Sequence, residues 1–99
     1  MSALVDATTA RLQLRELAAD GYPLTWLADQ LGVSATGLGG IRSGRQKRSR
    51  TYTLHAIHRL HRQLAGTTPD QHGIEAGRAA WTRLIAARGG WTTHGQAAA

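Results

Sequence analysis

The chain has 99 residues, 41% of them hydrophobic, and twelve Lys and Arg against six Asp and Glu give a net charge of +6. That is the size of one domain with a modest core, and too apolar for wholesale disorder. Cysteine is absent, no apolar run approaches the roughly 18 residues of a membrane helix, and the first residues lack a basic-then-apolar signal layout. A disulfide framework, a thiolate site and a membrane span are therefore excluded, and a cytoplasmic protein is expected.

Thr8 or Thr9 can cap a first helix running to about Asp20, with Leu14, Leu17 and Ala18 at core-facing spacing. Gly21 ends it, as a residue free to take positive φ should. Pro23 suits the first position of a second helix, where its missing N–H costs nothing. Leu24, Leu27, Ala28 and Leu31 fall within about 100° on a helical wheel and make one buried stripe. Ser34 caps a third helix from Ala35 to about Ser43, and Gly44 sits where a left-handed terminal residue is needed.

Ser49 or Thr51 starts a fourth helix with Leu54, Ile57, Leu60 and Leu64 as its apolar stripe. Residues 66–69 (Gly-Thr-Thr-Pro) form a loop. A fifth helix, from about Asp70 to Arg88, carries Ile74, Trp81, Leu84 and Ile85 on one side and is stopped by Gly89-Gly90. No segment has strand periodicity. The expected fold is all-α, a compact bundle of about five helices containing a helix-turn-helix. Residues 1–66 form the helix-turn-helix core, 67–91 a C-terminal helix that closes the core or dimerises, and 92–99 a flexible tail.

The helix-turn-helix is read from spacing. Two short helices cross closely only if the facing residue on the first is small, which Ala28 supplies. Gly32, four residues later, tolerates positive φ at the turn. Val33 plugs the corner, and Leu38 and Ile41 press the second helix back on the first. Each point is weak alone, and the five together are specific.

Charge is distributed to match. From Gln30 to Pro69 there is no acid, and Arg42, Arg45, Lys47, Arg48, Arg50, Arg59 and Arg62 lie within it; the rest of the chain holds five basic residues against all six acids. A domain cationic in its middle wants a polyanion on one surface. A solvated basic face kept for solubility is the plainer alternative.

At Val33-Ser34, Leu38, Ile41 and Ser43-Gly44 the segment resembles the turn, recognition helix and exit of the Cro/repressor-like (XRE-type) helix-turn-helix family. Leu14 to Leu64 is similar to small actinobacterial and phage proteins of that type. The pattern Trp26-Leu27-Ala28 entering the turn, the basic loop, and the helix ending in Arg88-Gly89-Gly90-Trp91 carry that likeness. The Pro-rich acidic segment that usually follows the Trp in such proteins is missing here. The resemblance implies a sequence-specific double-stranded DNA-binding transcription regulator, a repressor, nucleoid-associated and often a homodimer. A protein-interaction or accessory module on the same fold (antitoxin-like, or a phage factor) and a nonspecific nucleic-acid binder are the alternatives.

With the third helix in a major groove, Ala35, Thr36, Gly39, Gly40 and Ser43 face the bases opposite Leu38 and Ile41. That face lacks the long readers Arg, Asn and Gln, so its code is thin. Three glycines (Gly37, Gly39, Gly40) give up roughly 2–3 kcal/mol of helix propensity. Either they let the backbone approach DNA or a partner closely, or the helix is poorly formed. Readout then rests partly on the loop. Backbone contacts are expected from Thr25 and Ser34 at helix N-termini and from Arg42, Arg45, Gln46, Lys47, Arg48 and Arg50.

His55, His58 and His61 stand three apart. They spread over about 120° with no carboxylate near in sequence, so no metal is expected. His55 and His58 join Arg59 and Arg62 on a polar face, and His61 borders the apolar stripe. Trp26 points away from its helix's stripe and is either covered by the fifth helix through Trp81 and Trp91, the expected case, or exposed as an interface anchor. Trp81, Leu84 and Ile85 are the dimer candidates. No nucleophile–base pair or phosphate loop is present, so no enzyme, cofactor or small-molecule ligand is expected.

Overall fold

Asp6 supplies the first fixed point of the fold. Its Oδ1 accepts from the Thr8 amide at 2.9 Å, satisfying one open N–H of helix α1 (Thr8–Ala19). The computed structural model describes residues 3–93 and continues with α2 (Leu24–Leu31), α3 (Ala35–Ser43), α4 (Thr51–Leu64) and α5 (Ala76–Arg88). Most of the chain is helical, and five α-helices form the bundle. The expected tail, 92–99, lies outside the described residues from 94 onward.

Two short strands were not expected. β1 (Leu4–Asp6) pairs antiparallel with β2 (Arg48–Arg50), with Val5 opposite Ser49. Three residues are too few to show an alternation, so no period could reveal them. The pairing turns half of the basic segment from a loop into one edge of a ribbon.

α1 is the central element and packs on α3, α4 and α5. Leu14, Leu17 and Ala18 are fully buried, and Tyr22, Leu27, Ala28, Leu38, Ile41, Ile57 and Leu64 close around them. Polar groups also join α1 to α4. The Gln13 amide nitrogen lies 2.8 Å from His58 Nδ1, and Glu16 Oε1 lies 3.0 Å from His61 Nε2. Thus His58 and His61 serve the packing of these helices, and among the described residues no group of three or more His, Cys, Asp or Glu is placed to hold a metal.

α2 and α3 meet at the turn the spacing predicts. Ala28 is buried at the crossing, Gly32 takes φ +68°, and the Val33 amide donates to the Ala28 carbonyl at 3.1 Å. Leu38 and Ile41 are buried against this corner, whereas Leu24, Leu31 and Val33 are half-buried at its edge.

The fifth helix is shorter than expected. A 3₁₀ turn (Pro69–His72) occupies the start of the predicted span, and Gly73 at φ +74° breaks it from α5. The inner line of α5 is Ala79, Thr82 and Ala86, small residues that let the helix sit close on α1. Trp81, Leu84 and Ile85 instead face outward, Trp81 being 59% exposed. Their apolar character suggested an inner stripe, but the bundle core is already filled from α1, α2 and α4. Trp26 is correspondingly covered by other partners. Its ring lies 5.5 Å from Tyr22 and 5.5 Å from His72, and neither Trp81 nor Trp91 is in this cluster. No helix among the described residues is long and apolar enough to cross a membrane.

Candidate nucleic-acid interface

α3 is capped at both ends by the residues its sequence supplies. The Ser34 side chain accepts from the Gly37 amide at 3.0 Å, and Gly44 takes φ +88°. Ser34 is therefore a helix cap first, standing at an exposed N-terminus where backbone amides favour an anion.

The three glycines each have a neighbour inside the molecule. A Cβ at Gly37 would stand 3.0 Å from the capping Ser34 Oγ, and one at Gly39 would stand 3.2 Å from Leu24 Cδ2 on α2. Gly40 is buried, because the chain reverses at Gly44 and lays Gln46 and Arg45 across it; the Gln46 amide donates to the Gly40 carbonyl at 2.9 Å. This corrects the expected reading face at Gly39 and Gly40, which are packing positions and not open ones. Close approach explains Gly37 and Gly39, and the approaching groups belong to the same chain; at Gly40 a Cβ would meet Gln46 only at 3.5 Å, an ordinary contact.

What remains exposed on α3 is Thr36, Gly37 and Ser43, with Ala35 half-buried. Ser43 Oγ donates to the Gly40 carbonyl and accepts from the Arg45 amide, both at 3.2 Å, so it holds the exit turn. The long side chains absent from the exposed face of α3 are supplied by that turn: Arg45 and Gln46 are exposed and lie over the helix at Gly40.

β2 organises the rest of the basic segment. The Ala7 amide donates to the Lys47 carbonyl at 2.9 Å, and Gln46 Nε2 to the Arg48 carbonyl at 3.0 Å. Successive strand residues alternate faces, so Ser49 turns inward and is buried while Arg48 and Arg50 project together, with Lys47 exposed beside them. Across the ribbon Asp6 faces Arg48. Hydrogen bonding from Thr8 holds the Asp6 carboxyl below its ordinary range, with Arg11 and Arg48 adding a smaller pull the same way. A shallow cleft of about 160 Å³ separates α3 from this ribbon and the start of α4, lined by Val33, Gly37, Leu38, Ile41, Gln46, Ser49 and Thr53.

Arg42 is placed differently from the other cations. Its side chain is half-buried, and its guanidinium lies 5.2 Å from the Trp91 ring centre; Arg15 lies 5.1 Å from the same ring. Desolvation, and then the neighbouring Arg15 charge, lowers the pKa of Arg42, and burial and then Arg11 lower that of Arg15. Arg42 is thus held by the protein's own indole and is not free to track a backbone as expected. The Arg88-Gly89-Gly90-Trp91 ending builds this contact. Gly90 turns the chain at φ +73°, and a Cβ on Gly89 would stand 2.7 Å from the indole nitrogen.

At the N-terminus of α2, the Thr25 hydroxyl accepts from Arg78 Nη2 of α5. Arg78 was missed in the sequence because nothing local connects residue 78 with residue 25. Charge alone in the fifth helix was the available signal. Comparison with protein-family models, with curated proteins and with solved structures finds no match for this chain.

Proposed function

We propose that the chain is a helix-turn-helix transcription regulator, a repressor of the Cro/repressor-like type, that binds double-stranded DNA. α3 enters the major groove, and the Lys47–Arg50 ribbon sits on the adjacent backbone. One observation carries this reading: the exposed flank of a capped helix stands beside a basic strand, within a segment (30–69) that holds no acid, whose arginines point outward together. Arg45 and Gln46 are the best candidates for reading base edges, since Arg recognises guanine and Gln adenine by paired hydrogen bonds. Thr36 and Ser43 add contacts of low selectivity. Arg48, Arg50 and Lys47 position the duplex, and the Thr25–Arg78 pair offers a phosphate contact on the other side of α3.

Selection from a random duplex library at fixed salt tests this directly. An enriched motif supports the regulator, and its absence refutes sequence-specific binding. A salt titration of the same complexes should cost several orders of magnitude in affinity between about 50 and 200 mM if six or so phosphates are held.

A second reading rests on α5. Trp81, Leu84 and Ile85 are exposed together on one side of a helix, as an interface anchor requires. A second copy of the chain docking there would pair two α3 helices on half-sites about 34 Å apart. Sedimentation at micromolar concentration, with and without Trp81→Ala, tests it.

A further inference from the structure

Four of the nine arginines outside the ribbon are occupied by the protein itself. Arg15 and Arg42 stack on Trp91, Arg78 bonds Thr25, and the Arg83 guanidinium folds over Gly21. The outward face of α4 differs. Tyr52, Arg59 and Gln63 fall on one line of that helix at i, i+7 and i+11, with His55 and Arg62 on the line beside it, and all five are exposed. Among the described residues neither Arg59 nor Arg62 makes a side-chain hydrogen bond or an ion pair. No acid occurs on α4; α2, which borders this face through Gln30 and Leu31, carries one exposed carboxylate, Asp29.

We propose that this face is a second phosphate-binding track, taking the flank of the same duplex beyond the groove that α3 occupies. The inference rests on the DNA-binding reading above and extends it. Position favours that partner, because α4 starts at the site: Thr53 of its first turn lines the same cleft as Gly37 of α3. Length fits as well. Tyr52 to Arg62 is about 15 Å of helix rise, against about 3.4 Å between successive phosphates of one strand along the duplex axis. The side chains are of the kinds that hold phosphate oxygens, two guanidinium groups, an amide and a phenol, spaced by whole turns, and Arg59, Arg62 and Gln63 line a shallow open depression.

The test uses the whole chain and two duplexes carrying the same selected site, one of roughly 12 base pairs and one extended on both sides to roughly 30. Wild type should bind the long duplex more tightly. The Arg59→Ala/Arg62→Ala variant should lose about tenfold on the long duplex and little on the short one, and its salt slope on the long duplex should shrink by about 1.8, two phosphates' worth. Arg59→Lys/Arg62→Lys should retain most of the gain, since a point charge suffices at a phosphate. Equal losses on both lengths, or none on either, overturn the track while leaving the DNA-binding reading standing. Loss of binding to vesicles of acidic phospholipid, with DNA affinity unchanged, overturns it in favour of a membrane surface. If wild type binds neither duplex, the DNA-binding reading falls and the track with it.

Discussion

Arg15 on α1 donates its Nε–H to the carbonyl of Arg42 at 2.9 Å, although both side chains are cations and share one indole between them. Arg15 Nη2 also reaches the Ser43 carbonyl at 3.1 Å. The arrangement is stable because the last carbonyls of α3 lack partners within the helix and carry partial negative charge. The Trp91 face offers the guanidinium groups a further attraction. Arg15 therefore completes the C-terminal end of the helix proposed to enter the groove, and Trp91 holds both arginines in place.

Trp91→Ala should destabilise the fold by about 1–2 kcal/mol, the worth of two partly exposed cation–π contacts and some packing. Gly89→Ala should do similar damage by displacing the indole. In the Trp91→Ala background the Gly89 change should cost nothing or stabilise, since the clash is gone. A double-mutant cycle by urea unfolding measures this coupling; additive effects would mean Gly89 does not serve Trp91.

Gly40→Ala should stabilise the protein by roughly 0.5–1 kcal/mol, the helix-propensity difference. A Cβ there would meet Gln46 at 3.5 Å and Arg45 at 3.6 Å, ordinary contact distances. Gly39→Ala should gain less, because Leu24 Cδ2 would stand only 3.2 Å away and must yield. Thermal unfolding of the pair checks the order, and a larger loss at Gly40 than at Gly39 would show the packing to be otherwise.

Tyr22 links stability to alkaline pH. Burial raises its pKa above the ordinary value of 10.0, opposed in part by the hydrogen bond to Thr67, while Asp20 and Asp70 raise it slightly further. Its stabilising contribution is complete below about pH 10 and is lost as pH rises through the elevated folded value. Tyr22→Phe lacks that loss, although it forgoes a hydrogen bond worth about 1 kcal/mol. The stability gap between wild type and variant should therefore narrow above pH 10. A gap constant to pH 11 would exclude the linkage.

On DNA the exit turn and the ribbon should separate by kind of effect. Arg45→Ala and Gln46→Ala should each change base preference, with losses of about 1–3 kcal/mol on the preferred site and less on others. Arg48→Ala and Arg50→Ala should weaken binding to all sequences alike and reduce the salt slope by about one apiece. Thr36→Ala should alter preference mildly. Binding isotherms on matched and mismatched duplexes discriminate the two classes; uniform losses throughout would place Arg45 and Gln46 on the backbone.

The caps of α3 and the α2–α3 corner were legible because each depends on residues within a few positions. Ser34, Gly44, Pro23 and Gly32 all stand at the ends they signalled. Thr8 and Thr9, by contrast, were expected to cap α1 and lie inside it, with Ala7 at the cap position and Asp6 accepting from the Thr8 amide. The break at Gly73 was locally encoded too, but the apolar residues beyond it disguised it as helix. What could not be read was any contact between distant parts of the chain. The burial of Gly40 depends on where Gln46 lands after the reversal at Gly44. The fate of Arg42 depends on an indole nearly fifty positions away. Trp81, Leu84 and Ile85 look like core from their chemistry, and only the filled interior shows that they are surplus to it.

The ribbon places the basic segment under a different regime of order from the helices. β1 and β2 are joined by three residue pairs that close a loop of about 44 residues, an unfavourable ratio of bonds gained to chain freedom lost. Leu4 and Val5 are exposed, so little apolar burial reinforces the pairing. Such an element opens at a lower free energy than the bundle beneath it. Amides of residues 48–50 should accordingly exchange with solvent well before those of α1, so the arginines would be released and recaptured many times during one lifetime of the folded core. Contact with a partner that held the ribbon closed would register first as slowed exchange at these three positions.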